Sequence, residues 1–444
     1  MNLKTAILLC AVGSLAAIGL VSLDSTMVDG GDPNRLRTHA WALALGGGLG
    51  LAAALIDYRR LSRHGLPRIL LGLSLAALAL VLVPGIGEEI NGARRWFRWG
   101  GQPSEFAKVA VLVWLANYAA CHMNRMGDSK AGFVTPLLGS GAASLLIFVE
   151  QDWGTALLLV GASVSMLTVA GTRPVYLGGA GLGGLGLLTI LVRQDPHRLA
   201  RLICFLDPER YQDGIGAQQW HGLLSMGSGG LFGGFFGSGR HKFGFVPEQH
   251  TDFIFSLIGE ELGLSGTLLV LGLFFLVFKS GLSIAWGAGD PFGRFLAVGL
   301  TSLMTCQALV NMGVVTCLLP NKGIPLPFIS YGASDLLCMC VATGLLVSIA
   351  THSPKPPAGQ KPPPSPEDDA ARERRAALHA LPLGDEKRPW WKRIRLRLGR
   401  VGTRNAFRVS RIYQRPLRAI AVRPTEGARP SESGGSWEAL KFND

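Results

Sequence analysis

Ten stretches of this chain are apolar for long enough to cross a bilayer, and no soluble fold accommodates so many. A hydrocarbon core takes about 20 consecutive apolar residues as a helical span. Residues 5–23, 40–57, 67–84, 104–122, 132–149, 154–171, 174–192, 253–278, 293–318 and 328–350 approach or exceed that length. The apolar/polar alternation of a membrane barrel is absent. The pattern therefore predicts an all-α integral membrane protein of about ten transmembrane helices. Composition agrees, with 16% charged residues against about 25% in soluble domains. Mean hydropathy is +0.31. A disordered chain and a small disulfide scaffold are excluded, and a soluble enzyme is disfavoured.

Charge divides the sequence in two. Residues 351–444 hold 20 Lys/Arg against 10 Asp/Glu, most of the chain's net +13. Two domains are expected: a polytopic body over 1–351, and a Pro-rich linker with a basic tail over 352–444. The stretch PKPPAGQKPPPSP (354–366) reads as a stiff, extended linker. The basic run beyond it, with Trp390 and Trp391, suits either a membrane-surface or partner-docking role or a solvated, disordered tail. No motif supports nucleic-acid binding.

The first connection after an even-numbered span, between the second and third, carries Arg59, Arg60, Arg63 and Arg68, which places it in the cytoplasm. An even number of spans then puts both termini inside. Seven cysteines lie scattered, mostly in apolar runs, without the spacing of a metal site or redox pair. On the opposite face lie two connections with chemical content. Residues 85–103 are polar and aromatic with three arginines. Residues 193–252 form an outer loop far longer than usual helix connections, with a glycine-rich stretch followed by HKFGFVPEQHTD. Those glycines match no phosphate-binding fingerprint, so close backbone packing or a flexible loop is the expected use.

Several stretches together resemble the SEDS family (shape, elongation, division and sporulation). They are INGARRWFRWG (90–100), QPSEFAK (102–108), QDWGT (151–155), FLDPE (205–209), GSGGLFG (227–233), PEQHTDFIF (247–255), GEELG (259–263) and NMGVVTCLLPNKGIPLPFISYGAS (311–334). Some versions are closest to the FtsW type. There are departures: Glu150 stands where the family often has alanine, and Asp335 where it usually has serine.

The resemblance implies a peptidoglycan glycosyltransferase that polymerises lipid II at the outer face of the bacterial inner membrane, in cell division or shape. It also implies a class B penicillin-binding protein and other divisome or elongasome proteins as partners. A flippase for the lipid-linked precursor and a scaffold recruiting a transpeptidase are the competing classes. Against the first, no internal repeat is visible, and the recognisable polar residues gather at the outer face rather than the midplane.

Glycan polymerisation needs a base for the acceptor hydroxyl, cations for the departing diphosphate and a groove for lipid tails. Asp252, just before an apolar helix and matching the family's catalytic aspartate, is the candidate base; the same position also suits a helix N-cap. Arg94, Arg95, Arg98, Lys108 and Lys322 are the candidate cations. Lys108 also stands three residues from Glu105, on the same helix face, and the arginines also suit lipid headgroups. Glu248 and His250 flank the base and could orient it or bind substrate. A divalent cation (Mg or Mn) would find oxygen ligands in Asp252, Glu248 and Asp152, but no spacing demands a metal.

Overall fold

The structure is a computed structural model, described here for residues 2–26, 33–90, 93–194, 196–212, 214, 216–234 and 251–353. The chain divides into Met1–Gln360 and Lys361–Asp444. The second unit, and with it the expected tail, lies outside the described residues.

The described part is helical, apart from one hairpin. Its helices are α1 (Leu3–Ser25), α2 (Pro33–Leu55), α3 (Leu66–Val81), α4 (Pro103–Cys121), α5 (Thr135–Val149), α6 (Trp153–Val169), α7 (Pro174–Gln194), α8 (Pro196–Leu206), α9 (Ala217–Ser228), α10 (Ile254–Gly287), α11 (Pro291–Val315) and α12 (Ala333–His352). The hairpin pairs β1 (Gly87–Ile90) with β2 (Ala93–Phe97). Ten of the helices, all but α8 and α9, coincide with the ten expected spans. Six are long and apolar enough to cross a membrane, and α3, α6 and most of α7 are shorter apolar helices. The chain is a multi-pass membrane protein.

Boundaries moved where backbone chemistry overrides hydropathy. Helix α2 begins at Pro33 rather than at 40. Proline's fixed φ suits a first helical turn, and its missing N–H is not needed there. Helix α12 begins at Ala333 rather than at 328. Phe328 takes a φ of 66°, outside the helical region, and Ser330 Oγ accepts the Leu326 N–H at 2.8 Å. Within the long outer loop the chain forms α8 and α9, where sequence alone showed only a connection.

Helix α11 is the most enclosed span, with 78% of its apolar window buried against 22% for α2. Peripheral helices turn large apolar residues outward, such as Trp41, Leu138 and Leu182, as a lipid-facing surface requires. Helices α2 and α12 meet backbone to backbone: a Cβ on Gly344 would lie 2.0 Å from the Gly50 carbonyl oxygen. Small residues permit such contact, and with it the dispersion contacts that join helices in lipid.

Helix α10 kinks at Gly263, whose φ of 66° and ψ of −159° are non-helical. The freed amides beyond the kink find new acceptors: Leu264 N–H donates to Gly230 O at 3.0 Å and Ser265 N–H to Leu231 O at 3.1 Å. The glycine-rich stretch thus serves as a backbone brace for the kink. A Cβ at Gly263 would meet Gly233 N at 2.4 Å. We expect Gly263→Ala to cost at least about 1–3 kcal/mol from the strained backbone alone, read as a lower melting temperature of the detergent-solubilised protein.

The connections sort to two ends of the bundle. At one end, Tyr58 after α2 donates its hydroxyl to Asp290 before α11, and Arg59 Nη2 donates to His352 O at 3.2 Å. Thr172 after α6 reaches Gly132 before α5. The other end gathers the hairpin, the α5–α6 connection, the start of α10 and the segment before α12.

Candidate functional site

That second end is built on four short connections. Asp252 sits half-buried one residue ahead of Phe253, which takes the N-cap position of α10. Its carboxylate lies against a bare stretch of backbone: a Cβ on Gly323 would come within 2.7 Å of Asp252 Oδ2. Any side chain there would collide with the acid. Asn311 of α11 ties the two segments together, donating Nδ2 to Asp252 O at 2.8 Å and to Ile324 O at 2.7 Å. Lys322, one residue before Gly323, holds its ammonium over the Trp153 ring, 5.2 Å from the centroid, a cation–π contact. Gly154 packs on Ile324, with 2.8 Å to a would-be Cβ. The first turn of α6 and the 322–324 segment therefore form one wall.

Asp152 continues that wall. It caps α6 by accepting the Thr155 N–H at 3.2 Å and accepts Gln102 Nε2–H at 2.9 Å. Gln102 in turn gives its backbone N–H to Ser334 Oγ at 3.2 Å. Burial raises the Asp152 pKa, while Arg95 and the Thr155 amide oppose the rise. Two residues earlier, Glu150 is 1% exposed, and among the described residues neither of its carboxylate oxygens has a hydrogen-bond partner. Its pKa is pushed up to about 8 by burial first, then by Asp152, with Arg95 opposing.

The three hairpin arginines part company. The strand register pairs Glu88 with Trp96 and Glu89 with Arg94, leaving Arg95 as the extra residue of a bulge. A bulge re-aims a side chain. Arg94 remains on the hairpin, in a salt bridge to Glu89 at 3.0 Å. Arg98 reaches back to Gly85 O at 3.5 Å. Of the three, Arg95 is the one whose charge lowers the pKa values of both Asp152 and Glu150, and among the described residues its buried Nε has no hydrogen-bond partner.

Lys108 is not on this surface. It is 1% exposed inside the bundle. Its ammonium lies 2.7 Å from Glu105, 3.6 Å from Asp335 and 3.0 Å from Gln307 Oε1. Gln307 completes the cluster by donating to Asp335 Oδ1 at 2.8 Å and to Pro325 O at 3.1 Å. The cluster joins α4, α11 and α12 to the loop behind Gly323. The sequence expectation of a substrate-facing ammonium therefore meets a lysine already surrounded by two carboxylates and an amide.

Glu248 and His250 lie outside the described residues. Among the described residues no three His, Cys, Asp or Glu side chains cluster so as to hold a metal ion. Sequence reading missed the hairpin as an element, although Asn91-Gly92 between two extended stretches is a strong two-residue turn signal. It also noted Glu150 without assigning it to the site; only the fold shows its neighbours.

An apolar cavity of about 660 Å³ opens beside the site. It runs between α2, α3, α4 and α12, from Phe97 and Pro103 at the hairpin end to Tyr58 and Leu61 at the other.

Residues 1–355 match the cell cycle protein family that groups FtsW, RodA and SpoVE. The chain is 42% identical over 298 residues to a probable peptidoglycan glycosyltransferase FtsW of Trichlorobacter lovleyi, covering 66% of this chain and 78% of that protein. It is 40% identical over 289 residues to stage V sporulation protein E of Bacillus subtilis, covering 64% and 79%. Among solved structures it resembles a chain from a peptidoglycan synthase complex described as coordinating polymerization and crosslinking. There the TM-score is 0.66 and the identity 30%, over 77% of this chain and 96% of that one. With the family match extending over the whole helical body, the chain belongs to the FtsW/RodA/SpoVE family of cell cycle proteins.

Proposed function

We propose that this protein is a peptidoglycan glycosyltransferase that polymerises lipid II on the outer face of the inner membrane, with both termini in the cytoplasm. The observation that carries the reading is the half-buried Asp252 pressed against Gly323, on a wall that also presents Lys322, with the Arg95 charge acting on its Asp152 end. A base and cations set near one another suit a reaction that moves a proton at one atom and releases an anion at another.

Asp252 takes the proton of the acceptor sugar hydroxyl as that oxygen attacks the donor's anomeric carbon. The new C–O bond forms as the bond to the lipid diphosphate breaks. The configuration inverts, as in inverting glycosidases with the sugar hydroxyl in place of water. Arg95 and Lys322 meet the charge gathering on the diphosphate. Arg94 and Arg98, at the hairpin rim, meet phosphate or headgroup oxygens as substrate enters. Glu248 and His250 stand beside the base in sequence and orient it or the acceptor. The apolar cavity receives the polyprenyl chain, whose burial follows from its lining of Leu49, Phe106, Val113 and Leu345. Lys108 acts at one remove, holding the loop that carries Gly323. A class B penicillin-binding protein is the expected partner, crosslinking the strands made here.

The test is to reconstitute the purified protein in liposomes with fluorescent lipid II, with and without its co-purifying transpeptidase. Glycan polymer is the expected product. Translocation of lipid II without polymer would replace the reading with a flippase, and neither activity would leave a scaffold.

A further inference from the structure

We propose that Glu150 is a positioning residue whose bound proton keeps Arg95 available to the lipid diphosphate. This rests on the reading of the site given above.

The geometry is unusual for a carboxyl group. Helix α5 ends in a Schellman motif: Gln151 N–H donates to Phe148 O at 3.1 Å and Asp152 N–H to Ile147 O at 3.2 Å. Gln151 takes the left-handed position, with φ of 64°, that usually goes to glycine. The motif fixes Glu150 at the C-cap, where the helix presents the negative end of its dipole. The side chain is buried, with neither oxygen hydrogen-bonded. Asp152 adds a like charge two residues away. Burial, helix end and neighbour all oppose ionisation, and among the described residues Arg95 favours it.

The surrounding elements contribute little else. Helices α5 and α6 contain no charged residue, and the only one in α3, Arg68, lies in its first turn at the opposite end. From α4, Glu105 acts on Asp152 but is itself paired with Lys108. Asp152 already has two donors, Gln102 and Thr155. Among the described residues, an ionised Glu150 has no charged donor to turn to except Arg95, whose Nε is still unused. The protonated carboxyl leaves the guanidinium beside the wall but uncommitted. The ionised carboxylate captures it, and the diphosphate must then compete. Substrate affinity should fall as pH rises through about 8, the pKa to which this site raises Glu150.

The experiment measures binding of undecaprenyl diphosphate to the purified full-length protein from pH 6.5 to about pH 9, alongside KM for lipid II. For the wild type, affinity should fall and KM rise on the order of tenfold, with kcat little changed. Glu150→Gln and Glu150→Ala, which cannot ionise, should each bind equally well across the range, and Glu150→Asp should retain a fall. A pH-independent wild type, or the same fall in both Glu150→Gln and Glu150→Ala, would overturn the proposal while leaving the polymerase intact. Absence of both polymer and diphosphate binding at pH 6.5 would overturn the functional reading, and this inference with it.

Discussion

Asp252→Asn should lower kcat for glycan polymerisation by about 10²–10⁴-fold, the usual contribution of a positioned general base. The carboxamide is nearly isosteric, so the close approach to Gly323 and the Asn311 bonds to backbone carbonyls survive. KM should change little, because the proposed diphosphate contacts are Arg95 and Lys322 rather than Asp252. The measurement is the initial rate of lipid II consumption by wild type and variant with matched melting temperatures. A scaffold or flippase would tolerate the substitution. A rise in KM with kcat unchanged would instead make Asp252 a binding group.

Lys108→Met should destabilise the fold by about 3–5 kcal/mol, the cost of stranding buried charge when one partner of an ion cluster is removed. Glu105 and Asp335 would face each other across α4 and α12 with no cation between them. Thermal denaturation in detergent reads the effect. Adding Glu105→Gln and Asp335→Ser to Lys108→Met should recover most of the loss, because no charge then remains to compensate. Were Lys108 a direct diphosphate ligand, Lys108→Met would spare stability and lower affinity, and the triple substitution would rescue nothing.

The helical body was legible because each span is its own apolar run, and lipid demands that regularity locally. What sequence could not supply arises from residues far apart in the chain. The kink at Gly263 requires Gly230 and Leu231 as acceptors, about thirty positions earlier. A run of uniform hydropathy conceals it. The Glu105–Lys108 spacing was visible as one helix face, but Asp335 and Gln307 join it only through the packing of α11 and α12. The family motif offered three arginines as equals; a single unpaired register position sets Arg95 apart from Arg94, and Arg98 lies beyond the strand. That position depends on hairpin register, which was readable from Asn91-Gly92 only as a turn. Glu248 and His250 fall outside the described residues, so their part in the site remains as proposed from sequence.

The most direct test of the central claim is sided. Protein is inserted in liposomes in one known orientation, and lipid II is supplied to one leaflet at a time. Glycan should form when lipid II shares the compartment faced by Asp252, Lys322 and the hairpin. Glycan that forms only from lipid II on the Arg59–Asp290 side would contradict it.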